Sequence, residues 1–187
     1  MKFFIAGVLV ALVVAVAVGL GIAELGFMPT NADATPPAME QHIAMSALDA
    51  SMERHAPHVA SPVPATEDNL IEGAKIYTMN CAVCHGSMDY KPSALEHSMY
   101  PPPPQLLLDP PDDPEWHIYF AVRTGVRYSG MPAWNKALTD QQMWKVTGFL
   151  ARLDKLPPAV QDYWKKAYGV SPQSRQGEEH GGHEHHE

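Results

Sequence analysis

The chain of 187 residues has two cysteines, three positions apart, with a histidine directly after the second: Cys81-Ala82-Val83-Cys84-His85. On one helical turn, two thiols at this spacing can each add to a vinyl group of the same porphyrin. The adjacent imidazole then falls beneath the iron and ligates it from the proximal side. C-x-x-C-H is the attachment pattern for c-type haem, so the pentapeptide predicts one covalent haem c on Cys81 and Cys84, with His85 as an axial ligand. Two other uses of a cysteine pair fit less well. A redox dithiol is expected near a βαβ pattern, which this sequence lacks. A structural zinc site wants four ligands, and no second cysteine pair exists to complete one.

An iron ligated by His85 on one face needs a second partner or an open position on the other. Met79 and Met88 are tied to the helix on the proximal side. Met99 lies in a stretch expected to wrap the propionate edge. Met131 sits in the loop Ser129-Gly130-Met131-Pro132, 46 residues past His85. Gly130 permits an unusual turn there and Pro132 stiffens it, so the thioether points in a set direction. Met131 is therefore the expected second axial ligand, and Met/His ligation raises the reduction potential.

These residues need helices to position them. Thr66-Glu67-Asp68-Asn69 reads as a capped helix start, with the acidic residues suited to the positive end of the dipole; the helix should run to about Asn80, directly into the cysteine motif. Gly73, Tyr77 and Cys81 fall on one face. Pro92, Pro101 to Pro104, Pro110 and Pro111 rule out regular structure from 91 to 111. A second helix is expected to open at Asp112 or Asp113, with Pro114 in its first turn, and to stop at Gly125. A third should start at Thr139-Asp140 and reach about Leu153, burying Met143, Val146, Phe149, Leu150 and Leu153. Nothing alternates with a period of two, so the fold class predicted is all-α.

The flanks differ from this domain. Phe3 to Ile22 is a run of 20 apolar or small residues without a charge. As a helix it is roughly 30 Å long, the thickness of a bilayer's hydrocarbon core. It is longer than the apolar region of a cleaved signal, about 7–15 residues, so an uncleaved anchor is expected. Lys2 keeps the short N-terminal side in the cytoplasm and puts the rest outside. Gly7, Ala11, Ala15 and Gly19 recur every four residues, a stripe along which another helix could pack. Residues 29–65 carry six prolines and read as a tether, with a weakly amphipathic helix from Ala38 to His55 that could dock on the haem domain or a partner but is expected to fluctuate. The resulting division is 1–28 anchor, 29–65 linker, 66–156 haem domain, and 157–187 extension. That extension has one more helix candidate, Val160–Ala167, and ends in the His-rich tract 180–187. A net charge of −8, spread as −3, −3 and −2 over residues 1–65, 66–156 and 157–187, gives no electrostatic reason to expect nucleic acid.

Gly73-x-x-x-Tyr77-x-x-x-Cys81-x-x-Cys84-His85-Gly86, the Pro-rich loop, Gly130-Met131-Pro132-Ala133-Trp134, and a closing helix with Trp144 together resemble a class I cytochrome c of the membrane-anchored bacterial type. The resemblance covers residues 66 to about 156. It implies a helical shell around one haem, whose first and last helices cross at Gly73 against Trp144 or Phe149. It also implies that a proline carbonyl of the 101–104 run, with Pro103 as the candidate, accepts the free ring N–H of His85. Arg123, Arg127, Tyr128 and Trp134 flank the Met131 loop and are candidates for contact with the haem propionates, arginine matching a carboxylate geometrically.

The expected function is single-electron transfer by a membrane-tethered cytochrome rather than catalysis, with no catalytic residue in the chain. The family suggests quinol-oxidising complexes as donors and terminal oxidases as acceptors, with membrane lipid contacted by the N-terminal helix. The expected location is the periplasmic side of a bacterial inner membrane. Two alternatives stand beside it: a fixed haem subunit of a larger redox complex, and a gas- or peroxide-binding haem protein whose sixth position is open.

Overall fold

A stretch of 23 residues without a proline, apolar or small except for Lys2 and Glu24 at its ends, forms the first element, α1 (Lys2–Glu24), in a computed structural model that describes residues 1–170. None of its side chains is buried, and it is long and apolar enough to cross a membrane. It belongs to a unit of its own, Met1–Ala32, and the rest of the fold is a second unit beginning at Asp33. That second unit holds α2 (Ala38–His55), α3 (Glu67–Asn80), α4 (Ala82–His85), α5 (Glu115–Thr124), α6 (Asp140–Leu150) and α7 (Pro158–Tyr168), joined by loops and short 3₁₀ turns. No strand occurs among the described residues, so the chain is all-helical there. The His-rich tract 180–187 lies outside them.

Caps set the helix starts. Thr66 Oγ1 accepts from Asn69 N at 3.3 Å, opening α3 where the sequence places it. At α6, Thr139 Oγ1 accepts from Gln142 N (3.2 Å) while Gln142 Oε1 accepts from Thr139 N (2.9 Å), a reciprocal box that satisfies two orphan donors. The start of α5 differs from expectation. Pro114 is the capping residue, without a side-chain cap bond, and the first helical residue is Glu115. Gly125 ends α5 with φ of +67°, a conformation that L side chains rarely adopt.

The core forms where α3 crosses α6. Leu70, Ala74, Ile76 and Tyr77 of α3 meet Met143, Trp144, Val146, Phe149 and Leu150 of α6, and α5 adds Ile118, Tyr119 and Val122. Tyr119 stacks on Trp144 at 3.8 Å and 4° between planes. Each such side chain stabilises the fold by about 1.5–3 kcal/mol of transfer free energy.

Two segments outside the expected domain also pack. Beyond residue 156 the core continues: Val160 and Trp164 of α7 are buried, and Trp164 Nε1 donates to Met88 O at 2.8 Å. Tyr90 stacks on the same indole at 5.6 Å. The helix at 38–55 is present, and its C-terminal end packs on the fold, the docked arrangement among the two the sequence allowed. Met52 is buried in its last turn, Ala56 is buried just after it, and the His58 ring stacks on Trp116 of α5 at 3.9 Å and 14°. At its other end, Glu40 accepts a hydrogen bond from the Tyr100 hydroxyl.

Candidate haem site

α3 delivers the cysteine motif, and α4 makes it a single turn. Cys84 N and His85 N both donate to Cys81 O, at 3.0 and 2.9 Å. Cys81 and Cys84 are unpaired and half-buried, so both thiols remain free to react. Burial, with the Cys84 charge second, pushes the Cys81 thiol up to about 12 and keeps it protonated at neutral pH.

The carbonyls of Val83, Cys84, His85 and Gly86 are engaged. Tyr77, fully buried in α3, brings its hydroxyl within 2.8 Å of both His85 O and Gly86 O. Burial also raises the pKa of that phenol, so it remains a donor. Ser93 Oγ donates to Val83 O at 2.5 Å, and Leu106 N donates to His85 O at 3.1 Å. Gln105 completes the set. Its Nε2 donates to Cys84 O (3.2 Å) and Pro103 O (2.9 Å), while its Oε1 accepts from Ser93 N (2.7 Å). Among the described residues Gln105 is one of two buried polar side chains, and it was not among the expected site residues. A glutamine directly after four prolines, in a stretch with no regular backbone partners, is the sequence signal by which it could be found.

The ring of His85 is fixed by Pro104, not Pro103. Its Nδ1–H donates to Pro104 O at 2.8 Å, while Pro103 O is taken by Gln105. Four successive prolines present four acceptors, and only the backbone path selects among them. Because a carbonyl can only accept, the proton lies on Nδ1 and the lone pair on Nε2 is bare. Burial lowers the pKa of the ring, the Pro104 bond opposing it, so the neutral ligating form is favoured. Two free thiols on one turn beside a neutral imidazole with an uncommitted Nε2 form a donor set that fits a covalent haem.

The Met131 loop folds back on the end of α5. Val126 N donates to Met131 O at 3.2 Å, and Met131 N donates to Ser129 Oγ at 3.1 Å. A Cβ on Gly125 would come within 2.7 Å of Met131 O and Ala133 N, so glycine is required there by contact as well as by φ. Met131 is half-buried against the core. Of the other methionines, Met79 is 74% exposed, Met88 is a core residue, and Met99 lies against Gly130.

The flanking candidates divide. Trp134 is half-buried, packs against the core and opens a 3₁₀ turn, Trp134–Lys136. Arg123 and Arg127 are exposed, and Arg127 lies 5.9 Å over the ring of Tyr128. Tyr128 itself is 89% exposed at φ of +62°, so its ring faces solvent.

A family described as "Cytochrome C oxidase, cbb3-type, subunit III" has a model that matches residues 68–150. No curated protein matches the chain. Among solved structures, a chain of the reducing HAO-like protein complex of Kuenenia stuttgartiensis is similar at 22% identity and a TM-score of 0.41, over 50% of this chain and 48% of that one. That likeness spans about half of each chain.

Proposed function

Residues 68–150 being a class I monohaem cytochrome c-type domain, we propose that this chain is a membrane-tethered carrier of single electrons. In this reading Cys81 and Cys84 would hold one haem c covalently, and His85 and Met131 would ligate its iron. The haem supplies one reversible electron at its iron. The chain's own residues hold and tune it. Pro104 fixes the tautomer and direction of His85, Tyr77 and Gln105 lock the turn that carries the thiols, and the Gly125–Met131 fold aims the thioether. With His85 and Met131 both ligating the iron, no position would remain for a substrate, and the protein would set potential, access and docking rather than make bonds. The observation that carries the reading is the His85 ring, neutral, with Nδ1–H committed to Pro104 and Nε2 bare.

The further extent of the protein follows the same lines. Residues 1–28 would anchor the chain in a bacterial inner membrane, and 66–156, with α2 and α7 packed on it, would carry the haem on the periplasmic side. Redox proteins of a membrane chain, such as a quinol-oxidising complex and a terminal oxidase, are the partners. A fixed subunit of a larger complex is the second reading, favoured by the matched family's being described by an oxidase subunit.

The test is purification of the full chain in mild detergent. The pigment should stay with the polypeptide in acid acetone, and Cys81→Ser with Cys84→Ser should release it. The ferric far-red band of methionine–iron ligation should be present in the native chain and absent in Met131→Ala. A colourless chain, or high-spin ferric iron in the native protein, would overturn the reading. Migration alone, at 20.5 kDa plus micelle, favours the carrier, and co-purifying subunits favour the fixed subunit.

A further inference from the structure

Met99 and Met131 come from different loops and are brought together by Gly130. A Cβ on Gly130 would stand 1.9 Å from Met99 Cε and 3.7 Å from its Sδ, so the end of Met99 rests on bare backbone next to Met131. The hydrogen bonds of the Met131 loop, Val126 N to Met131 O and Met131 N to Ser129 Oγ, are internal to residues 126–131. They set the shape of the loop but do not tie it to the stretch around Met99. The Met99 contact does that. Met99 is itself steadied through its neighbour, since the Tyr100 hydroxyl donates to Glu40 of α2, which is seated by Met52 and by the His58–Trp116 stack.

Building on the reading that Met131 binds the iron, we propose that Met99 is the positioning residue for that ligand. Its terminal methyl presses on Gly130 and blocks the outward movement by which the loop would carry the Met131 thioether away. A ligand on a short loop leaves only when the loop moves. A packed contact present in the closed loop and lost in the open one therefore favours the bound state. The specification is steric, and the sulfur of Met99 takes no part in it.

Imidazole added to the ferric full-length holoprotein reads this directly, because it takes the iron position only when Met131 leaves. Met99→Ala should keep the far-red band in the absence of imidazole and bind imidazole about tenfold more tightly, the equivalent of one logarithmic unit in the closing equilibrium. Met99→Leu, which restores bulk without sulfur, should return to within about threefold of the native affinity. Gly130→Ala pushes the Met99 methyl away from the other side and should tighten imidazole binding as Met99→Ala does. Val160→Ala weakens the core remote in sequence from both loops and should leave the affinity unchanged while lowering the unfolding temperature.

Native imidazole affinity in Met99→Ala and Gly130→Ala overturns the proposal and leaves Met131 ligation standing. So does a shift in Met99→Leu as large as in Met99→Ala, or an equal shift in Val160→Ala. Loss of the band in Met99→Ala with its retention in Met131→Ala overturns the proposal and the Met131 assignment together.

Discussion

A Cβ on Gly73 would lie 2.2 Å from the backbone carbonyl oxygen of Lys145 and 2.8 Å from Phe149 Cβ. The crossing of α3 and α6 is therefore set by backbone against backbone, and no flexible side chain can move aside. Gly73→Ala is expected to destabilise the holoprotein by about 3 kcal/mol or more, at the upper end of overpacking costs. Gly148, also in α6, makes the control. A Cβ there meets nothing closer than 3.7 Å, so Gly148→Ala should stabilise by about 0.5–1 kcal/mol through helix propensity. Denaturant unfolding of both variants reads the opposite signs.

Tyr77→Phe leaves Gly86 O without its donor, whereas His85 O keeps the bond from Leu106 N. A loss of about 1–3 kcal/mol is expected for a buried acceptor left unpaired. The loss falls on the turn that holds the thiols, so the haem-loaded fraction after expression should drop with the unfolding temperature. Unchanged values for both would show that the hydroxyl does not hold the turn.

Thr147 is fully buried in α6, and its Oγ1 has no hydrogen-bond partner. Valine keeps the shape and removes the stranded hydroxyl. Thr147→Val is expected to be neutral or to stabilise by about 1 kcal/mol. Thermal unfolding checks it, and a clear fall in stability would reveal a partner for the hydroxyl in the loaded protein.

Asp89 sits in the loop after the cysteine motif, bonded by Lys91 Nζ at 2.5 Å and by the Ser87 hydroxyl. Lys91 first, then Ser87, lowers its carboxyl from 3.8 to about 2. A carboxyl depressed in the folded state stabilises above its unfolded value and loses that contribution as pH falls through the folded one. The Asp89 contribution should therefore be complete above about pH 4 and fade towards pH 2, an effect small for an exposed pair. Asp89→Asn should flatten the stability profile only in that window, as acid titration of the unfolding midpoint would show.

Much of this was legible because the determinants are local. Thr66 and Thr139 cap their own helices, and the cysteine motif states its chemistry within five residues. The register of the prolines was not legible, because four identical acceptors differ only in where the backbone carries them, and Pro104 rather than Pro103 meets His85. The docking of α2 was hidden for a different reason. Its apolar residues do not line one face: Met39 and Ile43 are exposed, and the seat is made by Met52, Ala56 and His58 around its C-terminal end. Helical periodicity reports on a whole face and misses an anchor made of one buried residue and the segment just past the helix end. The burial of α7 was missed because a short helix after two prolines reads as an extension until Trp164 is seen against Met88.

The seating of α2 shortens the leash. Taken as unstructured, residues 29–65 would give the haem domain a reach on the order of 120 Å at full extension. With α2 seated on the domain, and were α1 to anchor the chain as proposed, only residues 25 to 37 would remain to pay out between Glu24 and Ala38. That segment spans at most about 45 Å. The reach of the domain around its proposed anchor then depends on the seat of Met52, Ala56 and His58 staying in place, and its release would widen that reach more than twofold.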